Sequence, residues 1–115
     1  MKYMLLIYSN EAAFEAAGKA QVEEIIGAYQ AYTQALTKAG VIVASDRLQR
    51  SPAATTVRTA DGKTKVLNGP YAETKEQLGG FYMIDVPDLD AALTWAARCP
   101  GASHGVVEVR PVWAM

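Results

Sequence analysis

The chain contains one cysteine and one histidine, and neither can build a site alone. A single thiol, Cys99, excludes an internal disulfide, and a reducing compartment is its simpler setting. Arg98 precedes it, but adjacent helix residues point in different directions, so no activating cation is indicated and Cys99 is read as structural. One His and one Cys cannot supply a zinc or haem ligand set, so no metal is expected. An excess of one charge is also missing: 11 Lys and Arg face 12 Asp and Glu, scattered along the chain. No basic stripe marks a nucleic-acid backbone site. No apolar run reaches the ~18 residues needed to span a bilayer. Met1 to Tyr8 has only a faint likeness to a signal sequence. Its apolar run is too short, and Asn10-Glu11 follow without a small-residue cleavage site. A soluble, unprocessed, cytoplasmic chain is expected, with neither membrane nor nucleic acid as partner. Phosphate loops and G-x-G-x-x-G are absent, and no cofactor is expected.

Half of the 115 residues are hydrophobic, enough for the core of one domain spanning residues 1–115. Lys2 to Tyr8 alternates Tyr3, Leu5 and Ile7 against Met4, Leu6 and Tyr8. It reads as a strand covered on both faces. Asn10 to Ala17 suits a short helical turn capped by Ser9 or Asn10 and broken at Gly18. A helix follows from Gln21 to Ala39. Val22, Ile25, Ile26, Tyr29, Thr33 and Leu36 form its apolar stripe, and Gly40 its stop. Val41 to Leu48 is a second strand, ended by Ser51-Pro52. Thr55–Thr59 and Lys63–Leu67 pair as a polar, exposed hairpin about Ala60-Asp61-Gly62. After the turn Asn68-Gly69-Pro70, Glu73 to Leu78 suits one helical turn stopped by Gly79-Gly80. Phe81 to Val86 is a third core strand, apolar on both faces except at Asp85. Asp88 caps a helix from Leu89 to Cys99 with the stripe Leu89, Ala92, Leu93 and Ala96. Pro100-Gly101 ends it, and His104 to Val112 is the last strand.

Without the hairpin the order is βαββαβ, the ferredoxin-like arrangement of an α+β domain. Its first and third core strands are central, and both helices lie on one sheet face because the crossovers are right-handed. The other face of Lys2–Tyr8 and Phe81–Val86 is still apolar. A patch of that size is more than a soluble monomer tolerates, so a homodimer with face-to-face sheets is expected. Thr55, Thr56, Arg58 and Lys65 make the hairpin too polar to cover that face.

Chemistry is sparsely signalled. Gly101-Ala102-Ser103-His104-Gly105 fits G-x-S-x-G, but a nucleophile elbow needs a strand before the serine and a helix after it, and here the order is reversed. His104 is an acid–base residue type, read here as an ordinary loop histidine. The segment Asn68-Gly69-Pro70-Tyr71-Ala72-Glu73-Thr74-Lys75-Glu76-Gln77-Leu78-Gly79-Gly80 differs. It sets carboxylates, an amine, amides and an aromatic between glycine turns that permit close ligand approach. Glu73 suits a general base and Lys75 an anion clamp. A solvated connector is the bland reading of the same residues.

That segment closely resembles the signature of the DGPF-motif branch of the YCII-related proteins, with Asn68 where the motif has Asp and Tyr71 where it has Phe. The resemblance continues through Phe81–Asp90, Val107–Val112, Met1–Tyr8 and Ala39–Val41. It implies a dimeric α+β barrel. In the wider group it implies an enzyme-like cleft with a His–Asp pair, and one relative that is a dehalogenating lyase. This sequence has no His in its first helix, and Tyr29 lies roughly there. Some members are linked with sigma factors by association. Two readings follow. One is a small lyase- or isomerase-like enzyme binding a small polar or aromatic metabolite, with Glu73, Lys75 and Asp85 as catalytic candidates. Tyr29, Arg47, Asn68, Tyr71, Gln77, Gly80 and Arg110 are its ligand-binding candidates, the two arginines for anionic groups. The other is a non-catalytic dimeric module for a ligand or protein partner, linked to stress or sigma-factor regulation.

Overall fold

A computed structural model describes residues 1–114. The chain runs β1 (Lys2–Ser9), α1 (Glu11–Ala16), α2 (Lys19–Lys38), β2 (Ile42–Arg47), a 3-10 turn (Ser51–Ala53), β3 (Thr55–Ala60), β4 (Lys63–Asn68), β5 (Gln77–Asp85), α3 (Leu89–Arg98), α4 (Gly101–His104) and β6 (Val106–Pro111). Four strands make an antiparallel sheet in the order β2-β5-β1-β6, so the two most apolar strands are central. β3 and β4 pair only with each other, as a separate arm. This is the ferredoxin-like α+β fold with an inserted hairpin.

The helix-facing side of the sheet holds the core. Tyr3, Leu5 and Ile7 of β1 and Tyr82 and Ile84 of β5 are buried against Tyr32 and Leu36 of α2 and Ala92 and Ala96 of α3. Tyr32 packs edge-on to Tyr82 at 5.1 Å and its hydroxyl donates to the Trp95 carbonyl at 2.7 Å, so a large aromatic core position keeps its polar tip satisfied. No polar or charged side chain is buried among the described residues. The alternate residues face away from the helices. Met4 stands opposite Met83 and Leu6 opposite Phe81, and among the described residues these four lie outside the buried core cluster.

Local signals explain most boundaries. Asn10 Oδ1 accepts from Ala13 N at 3.0 Å and Asp88 Oδ1 from Ala91 N at 2.9 Å, giving α1 and α3 their N-caps. Gly40, at φ +72°, ends α2 where a side chain would be strained. Asp61 and Gly62, at φ 53° and 72°, make the two-residue turn between β3 and β4, whose twist suits paired strands.

Several expectations are corrected. The segment expected to turn helical after Glu73 is irregular, and Gln77 to Gly80 belong to β5. Thr74 and Gln77 side chains bond the loop carbonyls of Glu76 and Thr74, an alternative to a helical turn. Gly79-Gly80 therefore does not stop a helix; it lets strands meet. Residues 101–104, expected to lead into a strand, form the turn α4, with Gly105 N bonded to the Gly101 carbonyl at 2.8 Å. In α3, Ala92 and Ala96 bury while Leu89 and Leu93 stay about half exposed, at 47% and 46%. Alanines let this helix sit close to the sheet, which turns the leucines to its flank. In α2 the buried pair is Tyr32 and Leu36, both toward its C-terminal end, and the apolar residues of its first half are not packed on the sheet.

Candidate functional site

The unpacked first half of α2 leaves a cleft between the helices and the sheet, about 980 Å³ in volume. Ile7 of β1, Ser45 and Arg47 of β2, and Gly80 and Tyr82 of β5 line the sheet side. Ile25, Ile26, Tyr29 and Thr33 of α2 line the opposite side, Phe14 of α1 closes one end, and Gly101 and His104 of α4 the other. The apolar stripe of α2 was legible in the sequence; that half of it would line a hole instead of touching the sheet was not.

Two glycines set the depth of this space. A Cβ on Gly80 would lie 2.8 Å from the Asp46 carbonyl oxygen, so β2 and β5 approach as closely as they do because position 80 is bare. A Cβ on Gly101 would lie 2.7 Å from Ile7 Cγ2 and 2.8 Å from the Tyr29 hydroxyl. The α4 turn thus sits directly against Tyr29.

Tyr29 is half-buried, and loss of water pushes its phenol above the ordinary range; the neighbouring Cys99 adds to the shift. Burial also raises the Cys99 thiol, against hydrogen bonds from Gly101 N–H, Tyr29 and Ala102 N–H that favour the thiolate. Tyr82 is raised by burial too, opposed by its bond to Thr33, with the two hydroxyls 2.7 Å apart. At neutral pH the back of the cleft therefore presents the neutral hydroxyls of Tyr29, Thr33 and Tyr82, not phenolates.

The mouth carries both signs of charge: Glu11, Glu15 and Asp46 line the same cleft as Arg47 and Arg50. Arg47 lies 5.5 Å over the Phe14 ring, and no carboxylate pairs with it among the described residues. Arg50 is held by Glu15 at 2.8 Å. The rim is tied by Glu11, whose carboxylate accepts from Ser51 N at 2.8 Å and Ser51 Oγ at 2.7 Å, while Gln77 Oε1 accepts from Glu11 N at 3.0 Å. α1, the root of the arm and the start of β5 are thereby joined at one side of the cleft.

Of the expected ligand-binding residues, the cleft brings together Tyr29, Arg47 and Gly80, with Gln77 at its rim. Asn68 is exposed at the end of β4, and Tyr71 is exposed with Arg58 5.6 Å over its ring. Glu73 and Lys75 lie on the exposed loop before β5. Asp85 is at the far end of β5, paired with the N-terminal amine at 3.1 Å. Arg110 is on the helix-free face of β6, 3.3 Å from Glu108. The three catalytic candidates are thus not gathered at the cleft. Phe14, Thr33, Ser45 and His104 line it without having been singled out for it. For His104 the only sequence signal was its residue type. No group of His, Cys, Asp and Glu able to hold a metal occurs among the described residues. No helix there is long and apolar enough to cross a membrane.

A four-stranded antiparallel sheet with its helices on one face and a cleft beneath them defines the class: a ferredoxin-like α+β protein. The profile of the YCII-related domain matches residues 1–115, and the chain belongs to that family. It is 40% identical over 114 residues to an uncharacterised protein of Rhizobium meliloti (strain 1021), covering 97% of this chain and 92% of that one. Among solved structures it resembles 5-chloro-2-hydroxyhydroquinone dehydrochlorinase from Burkholderia phenoliruptrix AC1100, in complex with 2,5-dihydroxybenzoquinone. The TM-score is 0.56 at 12% identity, over 98% of this chain and 94% of that one. At that identity the likeness is one of fold.

Proposed function

We propose that this chain is a small acid–base enzyme of the lyase or isomerase kind that binds an aromatic or quinoid anion in the cleft. The observation that carries the reading is Arg47: among the described residues its guanidinium has no carboxylate partner, and it lines the same cleft as the hydroxyls of Tyr29, Thr33, Ser45 and Tyr82. An anionic oxygen of a flat ligand would pair with Arg47. Phe14 and Ile25 would cover its ring, and Tyr29 would offer a neutral hydroxyl. His104 at the rim is assigned the proton transfer, since imidazole is the side chain suited to it near neutral pH. Glu73 and Lys75, on the loop that ends at the rim, are assigned to the approach of the ligand. The dehydrochlorinase of the same fold, which binds a hydroxyquinone, supports the ligand class.

The working form is a homodimer in the cytoplasm. The helix-free sheet face has Met4, Leu6, Phe81 and Met83 at its centre, and among the described residues these lie outside the buried core cluster. Packing it on the same face of a second chain removes the patch. The resemblance to the DGPF branch, which implies a dimeric barrel, supports this reading.

The test is binding of 2,5-dihydroxybenzoquinone followed by Trp fluorescence, together with chloride release from 5-chloro-2-hydroxyhydroquinone. Arg47→Met should weaken binding at least tenfold. His104→Gln should leave binding intact and slow turnover. Equal binding by wild type and Arg47→Met, or no binding of any hydroxyquinone or aromatic carboxylate, overturns the reading. Binding without turnover leaves the second reading, a non-catalytic ligand-binding module.

A further inference from the structure

Tyr82 of β5 and Thr33 of α2 both line the cleft, and their hydroxyl oxygens are 2.7 Å apart. By distance alone either oxygen could donate, but the second bond of Thr33 fixes the direction. Thr33 Oγ1 also lies 2.9 Å from the Tyr29 carbonyl oxygen, and a carbonyl only accepts. A threonine hydroxyl has a single proton to give. Given to the carbonyl, that proton leaves Oγ1 free to accept from Tyr82, and both short contacts are hydrogen bonds. Given to Tyr82, it would leave Oγ1 lone pairs against carbonyl lone pairs. The Tyr82 proton is therefore committed to Thr33. Tyr82 has no other hydrogen-bond partner among the described residues. Tyr32, whose ring packs edge-on to that of Tyr82, gives its own proton to the Trp95 carbonyl. The Tyr82 oxygen keeps lone pairs for a ligand and has no proton left for one.

We propose that Tyr82 is a specificity-determining residue, an acceptor-only oxygen that selects ligands carrying a hydroxyl group, a phenolic ring in preference to a quinone. The inference rests on the cleft reading above and narrows it, since that reading admits aromatic and quinoid anions alike. Tyr82 is only 7% exposed, so a ligand atom beside it is shielded from water and its polarity has to match. A ligand hydroxyl donates to the Tyr82 oxygen. A quinone carbonyl in the same place sets lone pairs against lone pairs. The strand register brings this position within reach of the anion end. Ser45 pairs with Tyr82 and Arg47 with Gly80, so Arg47 and Tyr82 share one face of the sheet, two residues or about 7 Å apart along the strand direction. One ring with its anionic group on Arg47 and a hydroxyl toward Tyr82 is of that size.

The probes are meta- and para-hydroxybenzoate, each compared with its fluoro and formyl counterparts by titration calorimetry at neutral pH, where a phenol keeps its proton. All carry a carboxylate for Arg47. Fluorine is close to a hydroxyl in size and does not donate, and a formyl oxygen only accepts. Wild type should bind the better hydroxybenzoate about fivefold or more tightly than its fluoro counterpart. Tyr82→Phe should bring that ratio to about one, because the acceptor is gone. Thr33→Val releases the tyrosine proton, so the formyl probe should gain on the hydroxyl probe. A tyrosine that only supports the fold would shift every probe together and leave the ratios alone. Both variants should keep the wild-type far-ultraviolet spectrum. Equal binding of hydroxyl and fluoro probes by wild type, or a ratio that survives Tyr82→Phe, overturns the inference. The cleft reading then stands if Arg47→Met still weakens every probe. A wild type that binds none of the benzoates overturns both.

Discussion

Adjacent glycines in β5 should respond to the same substitution in opposite ways. At Gly80 a Cβ would fall 2.8 Å from the Asp46 carbonyl oxygen and 3.5 Å from Arg47 Cα, both backbone atoms that cannot rotate aside. At Gly79 the nearest atom to a Cβ is the Ile7 carbonyl oxygen at 3.9 Å, an ordinary contact. The register of β1 and β5 shifts here, leaving Gly79 as the extra residue of a bulge, which is why it has room. Neither glycine has a positive φ, so alanine is sterically permitted by both backbones. Each Gly→Ala change therefore gains about 0.4–1 kcal/mol from a less flexible unfolded chain. Only Gly80→Ala adds overpacking, about 1–3 kcal/mol. At about 4 °C per kcal/mol for a chain of this size, Gly80→Ala should melt roughly 8 °C below Gly79→Ala. Thermal unfolding by circular dichroism checks this, with both variants at one protein concentration because the proposed dimer would make Tm concentration-dependent. If Gly80→Ala melts at or above Gly79→Ala, the close approach of β2 and β5 is not what fixes glycine there.

Three other outcomes follow from named contacts. Burial raises the Cys99 thiol in the folded state, so the native form holds that proton more tightly than the unfolded one. The resulting stability is whole below the ordinary thiol value of ~8.5 and is lost as pH climbs through the raised one. Urea midpoints should decline above pH ~8.5 in wild type and less steeply in Cys99→Ala; identical slopes would reject the linkage. Leu5→Ala, at a fully buried site in β1, should cost about 2–5 kcal/mol by urea unfolding, whereas Leu6→Ala, one residue on, should act mainly on dimer dissociation. Glu11→Ala removes both hydrogen bonds to Ser51 and should cost about 1–3 kcal/mol, seen as faster hydrogen exchange at Ser51 to Ala54; unchanged exchange there would mean the rim is held by something else.

The sheet was largely legible in the sequence because its cues are local. Two-residue alternation in Lys2–Tyr8 and Phe81–Val86, the Asp61-Gly62 turn, and the Asn10 and Asp88 caps all act within a few residues. The cleft was legible only in part. Tyr29 and Arg47 could be singled out by residue type and resemblance, but the space between them depends on how far α2 stands from β5. An apolar stripe reads the same whether it touches a sheet or lines a hole. Gly79-Gly80 misled for a related reason. A glycine pair looks like a helix stop when read locally, and its actual role at Gly80 is set by the Asp46 carbonyl, some 34 residues earlier in the chain. The carboxylates and amine of the Asn68–Gly80 segment looked like a site because they are close in sequence, yet proximity along an irregular loop does not aim side chains at one point.

The same geometry limits how this cleft can change. Its sheet side cannot be filled at Gly80, where any side chain meets backbone, and its α4 end cannot be filled at Gly101, where a methyl meets both Ile7 and the Tyr29 hydroxyl. Enlarging either position alters the fold before it alters the ligand. Ile26 on α2 is under no such constraint, since it is 40% exposed and lies outside the buried core. In the proposed reading, ligand size should therefore be tunable through residues such as Phe14 and Ile26, while Arg47 and the Tyr29 hydroxyl would hold ligand charge and orientation fixed. Substitutions Ile26→Ala and Ile26→Phe should shift preference between larger and smaller quinoid anions without moving Tm by more than a few degrees. A preference that responds to Met83→Ala and not to Ile26 would place the ligand on the other side of β5.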